Sequence, residues 1–260
     1  MLSDGSGDTE LVCQELCKAL ADRQIRLITV NPKTVFPLKG FSIFGNTVGS
    51  RQMIRYSYGV KINKIQESAL VGMVLGDAYL QKTGTHNARL RLEHQADHHA
   101  YLVWKTHLIP QLFQGKPVFL ERVHPKTHRT YSYIRQQSNA SPYLGKMRKL
   151  FYGSGKKKIP ESLSKWLTAT IGFAIWFYDD GYYYVRDRSL YLYLGTVSMR
   201  EAEIAQATLL KNFNLQSTIL DKKRKGFALY FPVSERTKIS KMLKTHPVPV
   251  MAYKIPDTTA

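Results

Sequence analysis

Two apolar runs in this chain end in a carboxylate at the same place in the same pattern, and few folds tolerate that arrangement. The first is Leu70-Val71-Gly72-Met73-Val74-Leu75-Gly76-Asp77-Ala78 and the second is Phe173-Ala174-Ile175-Trp176-Phe177-Tyr178-Asp179-Asp180-Gly181. Each has helical spacing and delivers its acid where the chain turns. An ionised acid at the edge of a core is costly unless it is paired or binds a metal. Two such helices side by side bring two carboxylates together, and a divalent cation relieves their repulsion. Asp77 and Asp180 stand about 100 positions apart, a spacing that signals a duplicated domain rather than a solenoid, whose repeat is about 20–50 residues.

The residues between and after the two runs support the duplication. The first pass predicts a helix over 68–76 and a strand over 88–95, with Leu90 and Leu92 facing inward and Arg89, Arg91 and Glu93 outward. Asp97 is placed to cap a helix whose apolar stripe is Tyr101, Trp104, Leu108 and Leu112. Strands over 117–123 and 130–137 follow, and Ser141-Pro142 opens a helix that runs to Tyr152. After the basic linker at 153–162, the second pass predicts a helix over 163–179 and strands over 182–186 and 190–196. Ser198 caps a helix over 200–212, a hairpin at 218–220 and 227–231 surrounds Lys222-Lys223-Arg224-Lys225-Gly226, and a last helix covers 234–245. The expected fold class is α+β: two pseudo-symmetric αββαββα halves, 65–152 and 163–260. Residues 1–64 read as an N-terminal extension with no identifiable chemistry, holding a helical pattern from Leu11 to Leu27 and a Gly-, Pro- and Ser-containing stretch over 31–50.

Composition sets the class of partner. Over 260 residues, 38 Lys and Arg face 19 Asp and Glu, a net charge of +19, while 43% hydrophobic content argues for a folded globule. A folded chain this basic meets a polyanion, nucleic acid first; a ribosome-associated or simply basic organellar protein is the alternative. Cys13 and Cys17 read as free thiols in a reducing compartment. No apolar run reaches the roughly 20 residues of a membrane span. Asp4, Asp8 and Glu10 argue against a secretory signal or a cleavable presequence. The histidines, among them His98-His99 and His124 with His128, show no zinc-site spacing and receive no role.

Motifs, order and spacing together resemble the LAGLIDADG homing endonucleases, in the single-chain branch that carries two motifs. The resemblance covers about 65–258 and includes Lys157-Lys158-Ile159-Pro160 and Met251-Ala252-Tyr253-Lys254-Ile255-Pro256; Ala78 stands where the first motif ends in Gly. It implies that the motif helices pack at a pseudo-twofold axis, where Ala69, Gly72 and Gly76 in the first and Gly172 and Ala174 in the second supply small side chains. It also implies that Asp77 and Asp180, with the backbone carbonyls of Gly76 and Asp179, hold Mg²⁺ or a similar cation such as Mn²⁺. The Asp179 side chain is left between a group behind the ligands and a polar contact at the helix end. Lys157 and Lys254 correspond to basic active-site residues, one per half, and Gln95 to a polar group that organises solvent. Thr196-Val197-Ser198 departs from the family pattern, which often has glutamine at the middle position.

Double-stranded DNA at a long asymmetric target is the partner the resemblance implies, read by outer sheet faces carrying Arg89, Arg91, Glu93, Tyr131, Tyr133, Arg135, Tyr191 and Tyr193. The tip Lys222, Lys223, Arg224 and Lys225 extends that surface. With both half-sites built in, a monomer is expected, intracellular and at home in a mitochondrion or plastid if organelle-encoded. An intron maturase that binds intron RNA is the second reading. A reverse-transcriptase fragment, suggested by Phe177-Tyr178-Asp179-Asp180 alone, fails because the polymerase Asp-Asp box sits on a strand hairpin and this apolar run is long enough for a helix.

Overall fold

The computed structural model describes residues 61–153 and 155–257, all within one compact unit. The helix pattern from Leu11 to Leu27 and both cysteines lie outside the described residues. The first motif is α1 (Lys64–Leu75), opened by a reciprocal cap: Asn63 accepts from the Gln66 amide at 2.8 Å, and the Gln66 side chain accepts from the Asn63 amide at 3.2 Å. Every residue from Glu67 to Leu75 is buried. A helix apolar on all sides belongs in the middle of a core, and this one starts four residues before the expected 68.

Strands β1 (Tyr79–Lys82) and β2 (Ala88–Gln95) follow, then α2 (His99–Leu108), β3 (Val118–Val123), β4 (Thr130–Gln137) and α3 (Pro142–Tyr152), the last capped by Ser141. The second pass contains α4 (Leu163–Trp166), α5 (Thr170–Asp180), β5 (Gly181–Tyr184), β6 (Ser189–Gly195), α6 (Met199–Phe213), β7 (Thr218–Asp221), β8 (Phe227–Phe231) and α7 (Arg236–Lys244). Two antiparallel four-stranded sheets result, ordered β1-β2-β4-β3 and β5-β6-β8-β7, so each half winds its strands in the same sequence. Period-2 alternation divides the faces: Leu90 and Leu92 point to the core, as do Leu190 and Leu192. No helix among the described residues is long and apolar enough to cross a membrane.

Helices α1 and α5 meet backbone to backbone. A Cβ at Gly72 would come 2.2 Å from the Gly172 carbonyl oxygen, and one at Gly172 would come 2.4 Å from that of Ser68. Ser68 Oγ also donates to the Ala169 carbonyl at 3.1 Å and accepts from its amide at 3.0 Å, so a side chain of one motif helix satisfies the entry of the other. The bulk of α5 turns to its own half: the Phe173 ring lies 5.8 Å from Phe213 and 6.5 Å from Phe231, and Tyr178 Oη donates to the carbonyls of Leu243 and His246.

Three expectations are corrected. The helix over 163–179 breaks at 167–169, because the carbonyls of Ser164 and Leu167 accept from the Asn212 side chain on α6. Asp97 does not cap α2; it lies in a 3-10 turn over Ala96–His98, and the cap position is His98, without a side-chain bond. The face of α2 toward the core is Tyr101, Leu102, Lys105 and Thr106, with Trp104 and Leu108 only partly buried. Lys105 is drawn inward by an acid on α5, and α2 stops at Leu108, two residues before Pro110.

Gly72→Ala tests the helix contact. Alanine gains about 1 kcal/mol of helix propensity, but its methyl meets a backbone carbonyl that cannot move aside, and overpacking costs about 1–3 kcal/mol. The expected result is a lower midpoint in urea unfolding; an unchanged or raised midpoint contradicts the contact.

Candidate active site

Both motif helices end at one place. Asp77 follows α1 beyond Gly76, and its side chain is half exposed; Asp179 and Asp180 form the last turn of α5. The Asp179 side chain is fully enclosed. Its carboxylate accepts from Lys105 Nζ at 2.6 and 2.8 Å, from Tyr101 Oη at 2.8 Å and from the backbone amide of Asp77 at 3.1 Å. Gly76 makes this possible, since a Cβ there would lie 2.2 Å from Asp179 Oδ2.

Lys105 Nζ also lies 3.1 Å from His94 Nε2. An ammonium only donates, so Nε2 accepts and the ring proton sits on Nδ1, which faces Asp77 Oδ2 at 3.8 Å. Burial, followed by the charge of Lys105, brings the His94 pKa down to about 3, so the ring is neutral. One buried network thus joins α2 and β2 of the first half to α5 of the second and to the backbone of Asp77.

The remaining acids are under electrostatic pressure. Burial and then the charges of Asp179 and Asp77 push Asp180 up to about 7, against the pull of Lys157 and Lys254. Asp77 is raised by burial and by Asp179. The two lysines occupy matching places. Lys157 Nζ donates to the Gly76 carbonyl at 2.5 Å, and Lys254 Nζ donates to the carbonyls of Tyr178 and Asp179 at 2.6 and 2.9 Å. The last carbonyls of a helix have no partner within it and carry the negative end of its dipole, so each lysine neutralises the foot of one motif helix. Burial lowers the pKa of both.

Among the described residues, Asp77, His94 and Asp179 bring ligand atoms within 4.8 Å of one another. Lys105 already covers both oxygens of Asp179, so that carboxylate is compensated without a metal. The oxygens left for a hard cation are the carboxylates of Asp77 and Asp180 and the carbonyls of Gly76 and Asp179, each carbonyl keeping a second lone pair beside its lysine. Gln95 is exposed and continues the outer row of Arg91 and Glu93, opposite Tyr133. The β2 residue brought beside Asp77 is its neighbour His94. Val197 packs partly buried against the core.

The outer face of the first sheet is a polar lattice. Glu93 lies 2.8 Å from Arg91, 2.7 Å from Arg135 and 2.7 Å from Arg122, while Arg89 donates to Gln137 at 3.0 Å. Arg122 lies over the Tyr133 ring at 4.8 Å, and Tyr131 is exposed. On the second sheet Tyr191 and Tyr193 stack at 6.2 Å, joined by Tyr182, Tyr184 and Tyr230, and Lys222 sits 4.8 Å above Tyr191. The tip turns through Lys223–Lys225 and closes with the Lys222 amide donating to the Gly226 carbonyl. The sequence patterns do not single out Tyr101, His94 and Lys105, which surround Asp179 and Asp77, nor Arg122, Tyr182, Tyr184 and Tyr230 on the outer faces. His94 carried a signal: it continues the inward register of Ala88, Leu90 and Leu92.

Removing one partner of a buried ion pair leaves the other uncompensated, at a cost of about 3–5 kcal/mol. Lys105→Met is therefore expected to destabilise by that amount in denaturant unfolding, and the double variant Lys105→Met/Asp179→Leu to recover most of it. Additive losses in the double variant contradict the pairing.

The chain is 26% identical to "Probable intron-encoded endonuclease 1" of Wickerhamomyces canadensis, over 75% of this chain and 85% of that protein. It is 24% identical to "Protein RecA" of Mycolicibacterium flavescens, of which it spans 47% of the length. Among solved structures, the homing endonuclease I-WcaI bound to its DNA recognition sequence superposes with a TM-score of 0.68 and 25% identity, covering 76% of this chain and 88% of that one. A family model described as LAGLIDADG DNA endonuclease family matches residues 67–239, a span holding α5, most of α1, both sheets and both acids, and the chain belongs to that family.

Proposed function

We propose that this chain is a site-specific double-strand DNA endonuclease of the homing type, intron-encoded, dependent on a divalent metal and active as a monomer. The observation that carries the reading is the convergence of two helix feet, Asp77 with Lys157 at one and Asp179 and Asp180 with Lys254 at the other. Membership of the family supports it, as do a relative named as an intron-encoded endonuclease and a solved relative bound to its DNA recognition sequence.

Asp77 and Asp180, with the carbonyls of Gly76 and Asp179, would hold a hard cation such as Mg²⁺ or Mn²⁺. The donor set is oxygen throughout, and the raised carboxylates mark a site with more negative charge than it ionises unaided. When bound, such an ion supplies Lewis acidity and a water acidified to a nucleophile. The chain's own groups do the rest. Lys157 uses one N–H on Gly76 and keeps others for phosphate oxygens, where charge builds in the transition state. Lys254 plays the same part for the second strand. Asp179 holds the backbone of Asp77 rather than the reacting phosphate. The outer sheet faces would lie against the duplex, with arginines reaching base edges and lysines positioning the backbone. With both acids and both lysines in place, cutting is favoured over an RNA-binding splicing role, which needs neither.

Asp77→Asn and Asp180→Asn are each expected to slow double-strand cleavage by at least about two orders of magnitude while site-specific binding persists, and EDTA is expected to reproduce the defect in the unaltered protein. Near-normal cutting of both strands by either variant in Mg²⁺ contradicts the shared site. Affinity for the target is expected to fall steeply with salt as phosphate contacts release counterions; a flat dependence measured by filter binding removes DNA as the partner. Sedimentation of the complex is expected to show one protein per target, and two copies contradict a monomer with both half-sites built in.

A further inference from the structure

Resting on the endonuclease reading, we infer that the two sheets read their half-sites by different chemistry. The first selects guanine through arginines organised by Glu93. The second uses a tyrosine wall that favours A·T pairs through thymine methyl groups and groove shape, and discriminates less at each position.

The first sheet carries a device for directional hydrogen bonding. Glu93 on β2 stands opposite Arg135 on β4, with Arg91 two residues before it and Arg122 reaching in from β3. Arg91, Glu93 and Arg135 are partly buried on the sheet floor, and Arg122 is exposed at its edge strand. An arginine fork has five N–H donors; contact with one carboxylate leaves the others free. Bidentate donation to O6 and N7 of guanine is what such a fork does best in the major groove. The tie to Glu93 fixes the rotamers before DNA arrives, which cuts the ordering cost of binding. Cations that merely neutralise phosphates need no such tether.

The second sheet has no counterpart. Along β5, β6, β7 and β8 the only charged residue is Asp221, at the end of β7. Its outer face presents Tyr182, Tyr184, Tyr191, Tyr193 and Tyr230, with ring centroids 4.4 Å apart for Tyr182 and Tyr184, 5.3 Å for Tyr184 and Tyr191, and 5.4 Å for Tyr191 and Tyr230. Tyr184 and Tyr193 also bond through their hydroxyls at 3.0 Å, which occupies polar groups that would otherwise reach a base. Ring faces and edges make apolar contact with the thymine methyl, and a hydroxyl that both donates and accepts distinguishes bases poorly. The positive charge next to these strands sits in their connecting loops, at Arg186, Arg188 and Lys222–Lys225, where it would fix the backbone without reading sequence.

The test is selection of bound duplexes from a randomised library by the full chain without divalent metal, followed by sequencing. The expected outcome is one half-site of high information with guanine at fixed positions and another of lower information rich in A·T pairs. Arg135→Lys keeps the charge and removes the fork. It is expected to cost at least about fivefold in guanine discrimination, in the high-information half alone. Glu93→Gln is expected to relax those same positions, and Tyr191→Ala to relax only the other half. Equal information in both halves, or relaxation by Arg135→Lys spread over both, overturns the inference while leaving the endonuclease reading intact. Failure to enrich any sequence overturns both.

Discussion

The contact on which the rest of this molecule depends is the approach of two helix backbones at Gly72 and Gly172. Side chains at either position would hold α1 and α5 apart, and their ends would no longer share one site. The approach carries through to the last turn, where Gly76 leaves room for the carboxylate of Asp179. Three acids then crowd together at the edge of a core, and the pressure appears as the raised pKa values of Asp77 and Asp180. Two lysines on the helix carbonyls moderate that pressure without cancelling it. The site follows from a packing constraint: small residues let two helix ends meet and bring their carboxylates together.

The two halves share a strand order but not an interior. Position 179 in the second motif corresponds to Gly76 in the first, so only one buried carboxylate crosses between the halves. It is met by Lys105, Tyr101 and the Asp77 amide. A buried ion pair contributes little net stability against an apolar replacement, but it fixes one arrangement of its partners, since losing alignment strands a charge. Here the partners are two motif helices and the backbone of a site acid. The asymmetry extends outward, where a polar arginine lattice faces one way on the first sheet and a tyrosine wall occupies the second.

Much of this was legible in the sequence, because it rests on local patterns. Strand β2 falls at 88–95 as its alternation predicts, α3 opens at Ser141-Pro142, and Ser198 caps α6 with Glu201 as reciprocal partner. Two glycines in one apolar helix and one in the other announced close packing. What stayed hidden depends on partners distant in sequence. The break at 167–169 is held by Asn212, more than forty residues on. Lys105 reads as a surface residue on α2 until Asp179 is placed beside it, and the face of the helix turns accordingly. The alternation of β2 places His94 inward, but its contact with Lys105 is one no local pattern expresses. The arginine lattice assembles across three strands, one of which, β3, is exposed on both faces and shows no alternation to read.

On the proposed function a divalent cation would be held by Asp77 and Asp180, while Lys105 holds the Asp179 carboxylate. Anomalous diffraction from Mn²⁺ in crystals of the protein bound to its DNA target tests this most directly. Peaks are expected at the carboxylates of Asp77 and Asp180, with the Lys105–Asp179 pair intact beside them. A peak ligated by the Asp179 carboxylate, with Lys105 displaced, would contradict it.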